Sequence, residues 1–231
     1  MTSNAWLKIA CTGAVVAAVL VSVSFSNGPG VKAQSGGDSL AQSGGDSRIQ
    51  IGLAAAPVPL NMKDKNPALV GLGSYLVNVV GDCNGCHSVG PPTQYARGGN
   101  PYFNQPKILN TAVYLGGGRD FGALIPGSAH IISRNLTPDA SGLPEGGNTL
   151  DQFVAIIRTG VDPDHRHPPC AQGTVNDGCL PLPFDGNLLQ IMPWPIYKNL
   201  SDNDLRAIYE YLSAVPCIQG NDPYEPAHRC G

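Results

Sequence analysis

The chain has 231 residues and carries 14 Lys and Arg against 17 Asp and Glu, so its formal net charge is −3 at neutral pH. This mild acidity, with no basic cluster, excludes a protein that binds nucleic acid through a cationic surface. Only 13% of the residues are charged, whereas Gly and Pro number 29 and 21, which predicts a loop-rich secreted domain.

The N-terminus has the pattern of a secretory signal peptide. A short segment with one cation, Lys8, precedes the apolar or small residues Ile9–Phe25, and small residues lead up to Ala33. We therefore expect cleavage after residue 33 and a periplasmic or extracellular location. The alternative is an uncleaved membrane tether, because the apolar run is long for a signal peptide.

A repeated octet begins at the predicted cleavage point. Residues 33–40 and 41–48 share the sequence Ala-Gln-Ser-Gly-Gly-Asp-Ser, a Gly/Ser-rich unit that predicts a flexible linker. Residues 49–66 are expected to lie extended over the surface. The predicted organisation is thus a signal peptide at 1–33, a linker and extended lead-in at 34–66, and one folded domain at 67–231.

The folded domain begins with a predicted helix. Asn66 suits its N-cap and Pro67 its first position, and apolar residues recur at helical spacing as far as Val80. Gly71 and Gly73 lie inside this helix, where each is unfavourable by about 1 kcal/mol. Close approach of another helix would compensate, and a merely loosened helix is the alternative.

Directly after this helix, Cys83 and Cys86 stand three positions apart and His87 follows at once. This spacing is typical of covalent c-type haem attachment, in which one helical turn presents both sulfurs to the haem vinyl groups. His87 is then expected to bind the iron through Nε2 while its Nδ1–H donates to a backbone carbonyl. A thioredoxin-type redox pair would need a preceding strand–helix unit, and a zinc site would need a second ligand pair such as Cys170 and Cys179.

The next segment, residues 90–120, is rich in Gly, Pro and Asn. Short strands are predicted at Thr111–Leu115 and Ala129–Ser133, as part of a small hairpin or an Ω-like loop.

Two further helices are predicted. Thr149 and Gln152 form a capping-box pair at the start of one helix, which ends at Gly160. Ser201 is the predicted N-cap of the last helix, which runs to Ala214.

The cysteine count predicts two disulfides. Of seven Cys, Cys11 lies in the predicted signal peptide and two lie in the haem motif, which leaves Cys170, Cys179, Cys217 and Cys230. Four thiols in an oxidising compartment allow three pairings, of which sequence proximity favours 170–179 and 217–230. Free or metal-binding thiols are the alternative.

The sixth iron ligand decides the chemistry of a haem. Met192 lies in a proline-flanked stretch before the last helix and is the favoured thioether ligand, whereas Met62 lies in the lead-in. Core packing is the alternative role for any single Met. The other candidate ligands are three histidines: His130, His165 and His167. The last two are more simply explained as parts of a solvated loop.

Five segments occur in a fixed order along the chain: Cys83–His87, Ser133–Asp139, Phe153–Gly160, Met192–Trp194 and Leu200–Leu212. Together they resemble class I monohaem c-type cytochromes, and most of all the haem domains of bacterial alcohol and aldehyde dehydrogenase cytochrome c subunits. The resemblance covers about Leu69 to Pro216. Those subunits usually carry three haems, whereas this chain has one motif.

The resemblance implies a mainly α fold, the cytochrome c fold with crossing N- and C-terminal helices, long Gly/Pro-rich loops and a small β-hairpin. It implies that residues 67–231 form a monohaem cytochrome c domain. One haem c would be attached at Cys83 and Cys86, with His87 and Met192 on the iron. Three residues are expected to lie near the haem edge or its propionates: Arg134, Asn135 and Trp194.

These expectations together describe an exported bacterial one-electron carrier and not an enzyme. It would pass electrons between a dehydrogenase or quinol-linked donor and a terminal acceptor. One alternative is a haem enzyme or ligand sensor with an open distal site. Another is a haem-bearing structural unit of an extracellular electron-conducting assembly.

Overall fold

The computed structural model describes residues 47–89, 94–220 and 229–231. The predicted signal peptide and most of the repeated linker lie outside these residues. In the described part of the chain, no helix is long and apolar enough to cross a membrane.

The described residues are mainly α-helical, with one small sheet, which confirms the predicted class. The helices are α1 (residues 47–55), α2 (Pro67–Tyr75), α3 (Cys83–Cys86), α4 (Pro144–Gly147), α5 (Leu150–Thr159), α6 (Trp194–Tyr197) and α7 (Asp202–Leu212). A π-helical turn covers Leu76–Val80, and 3-10 turns cover Pro101–Phe103 and Thr111–Val113. The strands are β1 (Asp120–Ala123) and β2 (His130–Ile132).

Helix α2 begins as predicted and then changes type. The Asn66 side chain accepts a hydrogen bond from the Ala68 N–H at 2.9 Å, and Pro67 occupies the first turn. At the other end the N–H of Gly81 donates to the carbonyl of Leu76 at 2.8 Å, five residues back, as in a π-helix. The predicted helical run to Val80 is therefore confirmed, but its last turn is wider than an α-helix.

The two glycines of α2 allow close contact with two different helices. A Cβ atom on Gly73 would lie 1.9 Å from the carbonyl oxygen of Ala207 in α7, and one on Gly71 would lie 2.7 Å from Cγ2 of Ile49 in α1. These contacts confirm the predicted close approach. The packing of α2 on α7 joins the N- and C-terminal helices of the folded domain.

Helix α1 corrects the predicted extended lead-in. Residues 49–55 are helical, and a Cβ atom on Gly52 would lie 1.9 Å from the carbonyl oxygen of Gly71. Ser74 donates from its hydroxyl to the Gly52 carbonyl at 2.6 Å. A helix this short is marginal by itself, so its stability comes from packing on α2, which the local sequence does not reveal.

Helices α5 and α7 form as predicted. Thr149 and Gln152 make the capping box, and Gly160 ends α5 with φ 75°. The Ser201 side chain accepts a hydrogen bond from the Asp204 N–H at 3.1 Å at the start of α7. The two helices place the following apolar side chains in the core: Phe153, Ile156, Ile157, Leu205 and Leu212.

The small sheet pairs a different strand from the one predicted. In the antiparallel pairing, Asp120 opposes Ile132 and Ala123 opposes His130. The strand predicted at 129–133 is confirmed, but the one predicted at 111–115 is wrong. There the Asn110 side chain accepts a hydrogen bond from the Ala112 N–H at 3.2 Å and caps a 3-10 turn instead.

Both predicted disulfides are present, joining Cys170 to Cys179 and Cys217 to Cys230. Cys83 and Cys86 are free thiols. The pairing by sequence proximity is confirmed.

Candidate functional site

Helix α3 is a single turn that carries the Cys-x-x-Cys-His motif. The N–H of Gly85 donates to the Asp82 carbonyl at 2.9 Å, and the N–H of His87 donates to the Cys83 carbonyl at 2.8 Å. This turn brings both thiols and the imidazole to the wall of one cavity.

The cavity has a volume of about 280 Å³ and a mostly apolar wall. Among the predicted site residues, Cys83, Cys86, His87, Arg134 and Met192 all line it. Apolar side chains from the π-helical turn, β2, α5 and α7 complete the wall: Val77, Val80, Ile131, Phe153, Leu205 and Leu212. Residues far apart in sequence therefore meet at one apolar site.

His87 is oriented by a backbone carbonyl, as expected. Its Nδ1 lies 2.7 Å from the carbonyl oxygen of Arg134. Because a carbonyl can only accept, Nδ1 carries the proton and the lone pair lies on Nε2. The imidazole is therefore in the tautomer that a metal-binding histidine needs.

Gly117 allows the backbone of Arg134 and Asn135, the segment that orients His87, to pack closely against residues 116–118. A Cβ atom there would lie 2.4 Å from the Asn135 nitrogen and 2.5 Å from the Arg134 carbonyl carbon, and Gly117 has φ 65°. Its N–H donates to the His87 carbonyl at 2.8 Å. The three-glycine run at 116–118 was a sequence signal for this close approach, which the sequence-based prediction did not use.

The thiol of Cys83 is a poor redox nucleophile. Burial, with Asp82 nearby, raises the pKa of Cys83 to about 12. A reactive Cys-x-x-Cys pair needs a thiolate at neutral pH, so the thioredoxin-type alternative is disfavoured. Within the described ranges, no three His, Cys, Asp or Glu side chains are grouped to hold a metal ion.

One end of the cavity is polar. The buried guanidinium of Arg134 lies 2.5 Å from Asp162 Oδ2 and 3.3 Å from Asp164 Oδ2, and it also contacts His165. Burial of Asp162 opposes its ionisation, but His165 and Arg134 hold its pKa below the usual value. The side chain of His165 is only 13% exposed, so its predicted place in a solvated loop is wrong. The partner that buries it, Arg134, is distant in sequence.

Glu145 lies at the same end of the cavity and was not predicted. The residue is 6% exposed and has φ 53°. Its Oε2 atom has no hydrogen-bond partner among the described residues. Burial raises the pKa of Glu145 to about 7, although Arg134 opposes this shift. A Glu between Pro and two Gly has the pattern of an exposed turn, so no sequence signal marked it.

Two predicted site residues do not line the cavity. Trp194 donates from its indole N–H to the Leu189 carbonyl at 3.2 Å and packs on Gly160, where a Cβ atom would lie 2.3 Å from the indole. Asn135 accepts from the Thr137 N–H at 3.0 Å and donates to the Ile218 carbonyl at 2.8 Å. Both residues shape the loops that bear Arg134 and Met192.

The cavity fits the haem that the motif predicts. It combines an apolar wall, two free thiols, an imidazole with its lone pair on Nε2 and a thioether at Met192.

Comparison with known proteins supports the same class. The chain is 30% identical over 159 residues to the cytochrome c subunit of gluconate 2-dehydrogenase from Pantoea cypripedii, which covers 68% of this chain and 26% of that protein. It is 28% identical over 166 residues to the cytochrome c subunit of quinone alcohol dehydrogenase from Gluconobacter oxydans (strain 621H), covering 70% of this chain and 25% of that protein.

The chain therefore spans about a quarter of the length of these curated relatives. No protein-family model matches the sequence, and no solved structure matches it either. The chain is a homologue of dehydrogenase cytochrome c subunits, which confirms the class of protein that its motifs resemble.

Proposed function

We propose that this protein is a one-electron carrier with a single haem c attached to Cys83 and Cys86. The observation that carries the proposal is the 2.7 Å contact between His87 Nδ1 and the Arg134 carbonyl, in a cavity that also holds both thiols. When bound, a haem c supplies a reversible ferric/ferrous couple. The protein's part is to hold it in an apolar site and set its potential.

Met192 is the residue that would supply the second protein ligand to the haem iron. It lines the same cavity as His87, as do the alternative candidates His165 and His167, whereas His130 does not. His130 Nδ1 lies 2.8 Å from Asp120 Oδ2 on the exposed edge of the small sheet, and His165 contacts the Arg134 guanidinium. A thioether bound to the iron would leave no position for a substrate or gas, which favours a carrier over an enzyme or sensor.

The proposed partners are a redox donor and a redox acceptor. Both curated relatives are named as cytochrome c subunits of dehydrogenases, so a dehydrogenase or a quinol-linked protein is the proposed donor. The predicted signal peptide at 1–33 supports a periplasmic or extracellular site of action. The two disulfides agree with an oxidising compartment.

Covalent attachment is tested by acid–acetone extraction of the purified protein. Haem should stay on the wild-type polypeptide, because thioether bonds survive this treatment. The double variant Cys83→Ala and Cys86→Ala should lose that retention, whereas the double variant Cys170→Ala and Cys179→Ala, which removes a cysteine pair outside the motif, should keep it. Free extraction of haem from the wild type would refute the proposal.

A further inference from the structure

Arg119 joins the two segments that set the position of His87. Its N–H donates to Ser133 Oγ at 2.9 Å, and the Ser133 N–H donates back to the Arg119 carbonyl at 2.9 Å. Its guanidinium donates from Nη1 to the carbonyl of Gly85, inside the Cys-x-x-Cys motif. Gly85 lies two residues before His87, and Ser133 directly precedes Arg134, whose carbonyl orients the imidazole. One residue therefore connects the turn that bears His87 with the segment that orients it.

Helix α3 needs contacts of this kind. It has only four residues, and a helix of one turn is marginal by itself because the cost of nucleation is not repaid by further hydrogen bonds. The carbonyls at the end of a helix also lack partners within the helix. The Arg119 side chain supplies a donor to the Gly85 carbonyl, and the Gly117 N–H supplies one to the His87 carbonyl at 2.8 Å. The turn is thus fastened to the strand β1 region from outside.

The Arg119 guanidinium also contacts the wall of the cavity. Its central carbon lies 4.9 Å from the centroid of the Phe121 ring, in a cation–π arrangement. Phe121 on β1 lines the same cavity as Cys83, Cys86 and His87. The cation is therefore fixed both to the attachment turn and to an aromatic side chain of the site.

The charge of Arg119 is not matched by an adjacent carboxylate. No ion pair within the described ranges involves this residue. The neighbouring acid, Asp120, lies with Oδ2 2.8 Å from His130 Nδ1, and Asp82 at the start of α3 makes no ion pair with Arg119. The Arg134 guanidinium, by contrast, is held by two carboxylates. Arg119 therefore adds a net positive charge beside the motif.

We propose that Arg119 positions the haem-attachment turn and raises the reduction potential of the haem bound there. This inference rests on the proposed haem-carrying function. The contacts to Gly85 and Ser133 keep His87 Nδ1 next to its carbonyl partner, and such partners orient and tune a metal ligand. Reduction brings one electron from the redox donor to the iron, so a nearby uncompensated cation favours the reduced form.

The charge is tested by spectroelectrochemical measurement of the potential of the haem-loaded full chain. Arg119→Gln keeps an N–H donor for the Gly85 carbonyl but carries no charge, so its potential should shift downward. Arg119→Lys keeps the charge and should stay near the wild-type potential. The matched control, Arg206→Gln, removes an exposed cation from α7 and should leave the potential unchanged, because solvent and salt screen an exposed charge.

The positioning role is tested by proton exchange at His87. Arg119→Ala removes both the charge and the contact with Gly85, so the Nδ1–H proton of His87 in the reduced protein should exchange with solvent faster than in the wild type. Arg119→Lys, which can still donate to the Gly85 carbonyl, should slow this exchange again. Arg206→Gln should exchange as the wild type does.

A wild-type potential in Arg119→Gln, or an Arg206→Gln shift of the same size, would overturn the effect on the potential. Unchanged exchange of the His87 proton in Arg119→Ala would overturn the positioning role. Both results leave the carrier function intact, whereas a wild-type chain that holds no haem overturns the proposed function itself. If Arg119→Ala fails to fold, comparison of Arg119→Gln with Arg119→Lys still decides between a charge effect and none.

Discussion

The carbonyl oxygen of Arg134 lies 2.7 Å from His87 Nδ1, while the guanidinium of the same residue lies 2.5 Å from Asp162 Oδ2. One residue thus orients the proposed iron ligand through its backbone and neutralises a buried carboxylate through its side chain. The two roles can be separated by mutation, because a side-chain substitution leaves the carbonyl in place.

Arg134→Ala should destabilise the protein by about 3 kcal/mol, since it leaves the buried Asp162 carboxylate without its cation. The His87 Nδ1–H should persist, and its proton resonance in the reduced protein should still be observed. Arg206→Ala, an exposed cation on α7, is the control and should change stability by about 0.5 kcal/mol or less. Equal effects of the two variants would contradict the importance of the Arg134–Asp162 pair.

Met192→Leu should open the distal position of the haem. The wild type should show the weak near-infrared sulfur-to-iron band when oxidised and should not bind carbon monoxide when reduced. The variant should lose the band, bind carbon monoxide and have a lower potential, because a Met ligand favours the reduced state. Met62→Leu removes the other methionine in the described residues and should behave as the wild type. Rapid carbon monoxide binding by the wild type would favour the enzyme or sensor alternative.

Gly73→Ala should disrupt the packing of α2 on α7. Its Cβ atom would lie 1.9 Å from the Ala207 carbonyl oxygen, and backbone cannot move aside as a flexible side chain can. Overpacking of this kind destabilises by about 1–3 kcal/mol or more, and denaturant unfolding followed by circular dichroism measures it. Gly178→Ala, where the only nearby atom is a side-chain oxygen at 3.3 Å, serves as the comparison. A Gly73→Ala protein as stable as Gly178→Ala would argue against this helix contact.

Glu145→Gln should change how stability depends on pH. Burial raises the pKa of Glu145 from 4.5 to about 7, so its contribution is fully present below about pH 4.5 and is lost as the pH rises through 7. Relative to the wild type, the variant should therefore gain about 3 kcal/mol between acidic and alkaline pH. Unfolding free energies of both proteins at matched pH values give this difference, from which the other titrating groups cancel. A difference that is constant with pH would contradict the burial of this acid.

The parts of the fold that local sequence determines were predicted well. Asn66, Thr149 and Ser201 each cap the helix that follows, because a side-chain oxygen at an N-cap satisfies N–H groups within three residues. The spacing of Cys83, Cys86 and His87 likewise fixes their arrangement on one turn.

The structural features that depend on contacts between distant residues were not predicted from the sequence. Helix α1 packs on α2 at the point where Gly52 approaches the backbone of Gly71. These two residues are distant in the sequence, so the hydrophobic periodicity of the two segments does not predict their contact. Glu145 in α4 and His165 in the loop after α5 are buried because both segments fold onto Arg134. Their neighbours in sequence are polar, Pro or Gly, so local pattern placed His165 at the surface and overlooked Glu145.

The π-helical turn at Leu76–Val80 has a consequence for reading the ancestry of this chain. A π-helical turn places one more residue in a helix than an α-helical turn of the same height, which is the mark of a single-residue insertion. A relative whose helix is α throughout would align to this chain with a one-residue gap between Leu76 and Val80. An alignment without that gap would rotate the apparent position of every residue before it by about 100° around the helix axis. It would then match the wrong face of α2 with the corresponding helix of the relative.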